Sequence, residues 1–129
     1  MNKIIVEVSI GELLDKISIL EIKQEKIKDP EKLKFINNER SILKDQLEKN
    51  IKPNDKLNDL YQSLKEINAK LWVIEDDKRQ CEKDKDFGEK FIKLSRDVHF
   101  LNDDRAKIKL EINNHTGSVI KEIKEYTNY

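Results

Sequence analysis

Residues Leu57–Ile112 read LNDLYQSLKEINAKLWVIEDDKRQCEKDKDFGEKFIKLSRDVHFLNDDRAKIKLEI, and their periodicity decides the fold. Leu57, Leu64 and Leu71 occupy one heptad row, and Leu60, Ile67, Ile74 and Cys81 the other, with Lys78 as the break. A second seam follows: Phe91, Val98 and Ile112 in one row, and Leu94, Leu101 and Ile108 in the other, interrupted by Arg105. Apolar residues repeating every 3.5 positions mark helices that pack along one stripe. Each arm is about 25–32 residues, or roughly 40–48 Å at the helical rise. Between them lies Asp86-Phe87-Gly88, with the one Gly of the region. That Gly is expected to supply the left-handed backbone that ends a helix and lets the chain fold back. The competing reading is one continuous helix weakened at Gly88.

Working outward, residues 1–129 are short enough for a single domain. Hydrophobic residues make up 36% and charged residues 40% of the chain, so the core has to be built from stripes and not from wholly buried elements. With 3 Gly and 2 Pro there is little turn material, which favours a few long elements. The charges balance, 26 of each sign, and alternate along the helices, which argues against nucleic acid as a partner. No apolar run reaches the length of a membrane span, and Ile4-Ile5-Val6 is too short for the apolar part of a signal peptide. A lone cysteine, Cys81, fits a reducing cytoplasm. Only four of the 26 cations are Arg, at positions 40, 79, 96 and 105, and three of them lie in the hairpin. In so Lys-rich a chain an Arg suggests a use for its planar fork.

Ile4–Val8 is β-branched enough for a short strand. Ser9-Ile10-Gly11-Glu12 matches a capping box and opens a first helix, whose face is Ile10, Leu13, Leu14, Ile17, Leu20 and Ile27. Asp29-Pro30 ends it and caps a second helix that carries Leu33, Ile36, Leu43 and Leu47 and stops near Asn50. Lys52-Pro53-Asn54-Asp55 turns into the hairpin, and Asn113–Gly117 closes it. Ser118–Tyr126 reads as a short strand or extended tail, and pairing with Ile4–Val8 would make a minor two-stranded β element. The fold class is therefore all-α: an antiparallel, up-down-up-down helical bundle with a long helical hairpin. The arms outrun the first two helices, so the tip at Asp76–Lys90 should project, fold over, or meet another subunit. Leu71, Trp72, Phe87 and Phe91 are the candidate interface, and a homodimer is the expected assembly.

Two polar stripes interrupt the seams. Trp72, Glu75, Asp76 and Arg79 share one side of the first arm, and Asn102, Arg105, Lys109 and Asn113 one side of the second. Charges at apolar positions are ion-paired or ligand-bound. One reading is a small-anion site built from Glu75, Arg79, Asn102, Arg105 and Lys109, with Glu21 or Gln24 at the same level. The other is an internal salt-bridge layer that sets helix register. Asp76-Asp77 and Asp103-Asp104 match no complete metal motif, and His99 and His115 have no zinc-ligand spacing. Cys81 sits on the apolar seam as a core residue would. No metal and no cofactor is expected.

Val6–Lys23, Leu71–Asp76, Phe87–Ile92 and Asn102–Lys109 together resemble a family of short helical bacterial and viral proteins of unknown function. The resemblance covers nearly the whole chain. It implies a context, because members tend to occur alongside glycosyltransferase and surface-polysaccharide genes, and it assigns no catalytic residue. The Arg/Lys pattern is also weakly similar to the helical chorismate mutases, but the first helix here holds no Arg. The expectation is a non-enzymatic helical interaction or scaffold protein, cytoplasmic and dimeric, accessory to glycan or surface-polysaccharide biosynthesis with a protein of that pathway as partner. The alternative is a binder of a small sugar-phosphate or carboxylate, or an enzyme acting on one.

Overall fold

The computed structural model describes residues 2–129. Four helices follow in order: α1 (Ile10–Lys26), α2 (Pro30–Asn50), α3 (Asp55–Asp84) and α4 (Glu89–Thr116). The chain is all-α, and α3 and α4 form the long hairpin that the heptad rows describe.

The helix ends are written in the sequence. Ser9 Oγ accepts the Glu12 N–H at 3.0 Å, Asp29 Oδ1 accepts that of Glu31 at 3.0 Å beside Pro30, and Asn54 Oδ1 that of Leu57 at 2.9 Å. Gly117 takes the left-handed conformation, φ +68°, that closes α4. Two local expectations are corrected. Glu12 does not complete the capping box, because its carboxylate bonds Lys109. At the hairpin turn the left-handed residue is Lys85, φ +55°, and not Gly88, whose φ of −82° suits any residue. The reason is that Lys85 and Asp86 return their N–H groups to Glu82 and Cys81 carbonyls, so the chain reverses three residues early.

Helix α1 is the centre of the molecule. It runs antiparallel to α4, with Gly11 against Asn113 and Asp15 against Arg105, and therefore parallel to α3. Helix α2 returns along α1, pairing Asn37 with Gln24 and Arg40 with Glu21. The up-down-up-down order holds, but as layers: no Cα of α2 lies within 8 Å of one in α3 or α4. The main core cluster is Leu14, Leu57, Leu64 and Ile112, with Ile10, Leu47, Leu60 and Ile108 packed on it. Of the hairpin rows, Ile67, Ile74, Leu94, Val98 and Leu101 stay half-buried, whereas Cys81 is buried.

The β element is absent: no strand occurs among the described residues. Ile4–Val8 stands exposed, and the tail turns back along α4, bonding Asn114 through Lys121 and Lys109 through Glu122. Tyr129 then packs against His99 and Phe100 with ring centroids 5.1 and 5.5 Å away. A lone two-strand ribbon would leave most of its backbone to water. The α4 surface instead offers the tail a buried ammonium and two rings.

Candidate functional site

Where α1 crosses α4, a cluster of polar side chains interrupts the apolar contact. Asp15, 1% exposed, stands between Leu14 and Ile17 on the core side of α1. Its carboxylate accepts from Arg105 through both Nε, at 3.0 Å, and Nη2, and from Asn68 Nδ2 at 2.8 Å. Asn68 also donates to Ser18 Oγ at 2.8 Å, and Ser18 donates to the Asp15 carbonyl. One helical turn along α4 from Arg105, the Lys109 ammonium donates to Glu12 at 2.7 Å and to Glu122 of the tail at 3.0 Å, and lies 3.8 Å from Asp15. Beyond it Asn113 Oδ1 accepts the Gly11 N–H at 2.7 Å, and Ser118 Oγ that of Ile10 at 3.2 Å. With Ser9 on Glu12, the first three N–H groups of α1 are all capped, two of them by residues a hundred positions away. Gly11 permits this approach: a Cβ there would stand 2.6 Å from the Lys109 carbonyl oxygen.

The electrostatics follow from this geometry. Burial pushes the Asp15 carboxyl up, but the Arg105 and Asn68 hydrogen bonds, with the fields of Arg105 and Lys109, outweigh it and hold it below the ordinary Asp value. The hydrogen bond to Asp15 holds Arg105 protonated against the opposing cost of burial. Burial works against charge on Lys109 too, and Glu12, Glu122 and Asp15 reverse it, leaving its pKa above the ordinary Lys value. Both Asp15 oxygens and the Lys109 ammonium are engaged from within the chain, so the cluster holds charge in place and presents no unsatisfied reactive group.

The sequence-derived site residues divide. Glu75, Arg79 and Arg105 line one groove of about 340 Å³ with Trp72 and Leu71, between α1, α3 and α4. Asn102 reaches Arg105 Nη1 only at 3.4 Å, and Lys109 lies outside the groove, turned to Glu12. Glu21 and Gln24 point away from this groove: Gln24 bonds Asn37 of α2, and Glu21 bonds Arg40 of α2 and Tyr61 of α3. Of the candidate interface, Leu71 is buried under α1 and Trp72 is half-buried, while Phe87 and Phe91 pair edge to face at 5.5 Å at the hairpin end. His115 Nε2 lies 3.1 Å from Asn54 Oδ1, and among the described residues no three His, Cys, Asp or Glu gather as a metal site. Of the acids of the cluster, the sequence pattern marks Glu12 only as a capping-box residue and gives Asp15 and Glu122 no site role. Asp15 and Ser18 carried a signal, as polar residues flanked by Leu14 and Ile17 on the buried face of α1. Glu122 carried none, since only the tail's path brings it to Lys109.

A model for a family of unknown function, DUF6165, matches residues 4–129. The chain belongs to that family. No curated protein and no solved structure matches it. The DUF6165 match spans both the cluster and the tail that completes it. Among the described residues of this DUF6165 chain, no helix is long and apolar enough to cross a membrane.

Proposed function

We propose that this protein is a non-enzymatic helical interaction module that works as a homodimer, paired through the face of the α3–α4 hairpin turned from α1. The observation that carries this reading is an open apolar groove of about 630 Å³ lined by α3 and α4 alone: Ala69, Val73, Ile74, Phe100 and Leu101, with Lys70 and Asp97 at its edges. Val73 stands roughly 160° round the helix from Leu71. Leu71 is under α1, whereas Val73 is 49% and Phe100 42% exposed. One cation and one anion on the rim allow the face to pair with itself, because a two-fold axis running along the groove sets the Lys70 edge of one copy on the Asp97 edge of the other. The ion-pair cluster favours this reading over a small-anion site at Arg105 and Lys109, since internal carboxylates already hold both cations. A cytoplasmic setting and an accessory role in glycan assembly belong to the same proposal. They rest on the buried free Cys81 and on the family resemblance respectively.

The test is sedimentation equilibrium of the wild type and of Val73→Asp, both checked for helicity by circular dichroism. A wild-type dimer that Val73→Asp converts to a helical monomer, with Kd raised at least a hundredfold, supports the reading. A wild type that stays monomeric up to 100-micromolar-order concentrations (roughly −5.5 kcal/mol of association) overturns it.

A further inference from the structure

A second cavity, of about 510 Å³, lies in the wedge where α2 leans away from α3. Its floor is apolar: Leu14 and Ile17 of α1, Leu47 of α2, Ile51 and Leu57. At its mouth stand Arg40 and Lys44 of α2, with Glu21, Glu48 and Tyr61. Arg40 Nη2 donates to Glu21 Oε2 at 2.9 Å, and Tyr61 donates to the other oxygen of the same carboxylate, so Glu21 is fully engaged. Arg40 Nε has no partner at all, although it is shielded from solvent: among the described residues it is the buried side-chain donor left unsatisfied. The same packing closes Nε to the cavity, whereas Nη1 of the same guanidinium is unshielded and donates no hydrogen bond among the described residues. Lys44 forms no ion pair within 4.0 Å among the described residues, even with Glu48 one turn away.

We infer that this wedge binds an amphipathic monocarboxylate, with its oxygens on Arg40 Nη1, which Glu21 leaves open, and on Lys44, and its alkyl body on the Leu14–Leu57 floor. The volume falls within the range of small-ligand sites, and the make-up suits one: an apolar lining with a few polar groups at one end. Each carboxylate oxygen can accept from a guanidinium and an ammonium; here Lys44 has no ion pair and Arg40 gives Glu21 only its Nη2 edge. Glu21 and Glu48 already offset the charges of Arg40 and Lys44 at the mouth, so a second negative charge on the head would meet repulsion. The thin attachment of α2, whose one buried residue is Ile36, lets the wedge adjust its width to the chain.

The experiment is isothermal titration of the full chain with hexanoate, octanoate, decanoate and, as the uncharged control, decanol. Saturable one-to-one binding is expected, tightening about fourfold per added methylene until the floor is covered. Decanol should bind at least tenfold more weakly than decanoate. Arg40→Gln should lower decanoate affinity at least tenfold. Asn58→Trp, at an exposed cavity-lining position on α3, should abolish binding by filling the wedge while leaving the circular dichroism spectrum unchanged. The inference is overturned if decanoate does not bind, if decanol binds equally well, or if binding survives Asn58→Trp.

Discussion

Asp15 and Arg105 show how a single residue is committed by its surroundings. The Asp15 side chain is 2% exposed and that of Arg105 27%, so the carboxylate depends on the guanidinium while the guanidinium keeps some access to water. Removing one partner of a buried pair leaves an uncompensated charge, which costs about 3–5 kcal/mol. Arg105→Ala should therefore lower the urea midpoint severely. Asp15→Ala/Arg105→Ala should lose clearly less than the sum of the single losses, because the pair fails as a unit. Additive losses in that cycle would show that the two side chains are energetically independent, against the geometry. The apolar periodicity located Arg105 as the break in a seam. It did not identify Asp15 as the partner, because which α1 residue faces position 105 depends on how α1 crosses α4.

At the scale of elements, the hairpin turn separates what composition suggests from what the backbone does. A glycine three residues from a turn draws the eye, yet the strained residue is Lys85, and left-handed backbone costs a non-glycine residue about 1–2 kcal/mol. Lys85→Gly should stabilise the protein by about 1 kcal/mol, raising Tm by about 3–5 °C, as read by calorimetry. A fall in Tm would mean that the exposed Lys85 side chain contributes more than its backbone strain removes. The element boundaries were otherwise legible, since Ser9, Asp29-Pro30, Asn54 and Gly117 act through hydrogen bonds to residues two to four positions away. The terminal ribbon was not legible. β-branched residues in Ile4–Val8 and Ser118–Tyr126 signal extended chain, but pairing is a long-range choice, and here α4 competes for the tail.

For the whole molecule, the cluster sets a pH window. Asp15 titrates below its ordinary value in the folded protein, so its carboxylate contributes stability above the unfolded-chain pKa of about 3.9. That contribution disappears as pH falls through the folded value. Lys109 titrates above its ordinary value, so its contribution is complete below about pH 10.4 and is lost as pH rises through the folded value. Glu122, held low first by its hydrogen bond to Lys109, adds to the acid side. Urea midpoints should thus be level from about pH 5 to pH 9 and fall on both sides. Asp15→Asn should flatten the acid limb, and an unchanged limb in that variant would place the titrating group elsewhere.

The sequence by itself determined the all-α class, the four helices with the caps Ser9, Asp29, Asn54 and Gly117, the hairpin, and the places where polar residues break the apolar rows. These are local properties, carried by spacing, propensity and bonds to near neighbours. Only the tertiary structure decided that α1 lies at the centre, that Arg105 and Lys109 meet Asp15, Glu12 and Glu122, and that α2 stands off from α3 to leave a lined wedge. Those outcomes depend on crossing angles and on the path of the tail. Burial of whole helical faces sets them, through many contacts that no single stretch of sequence contains.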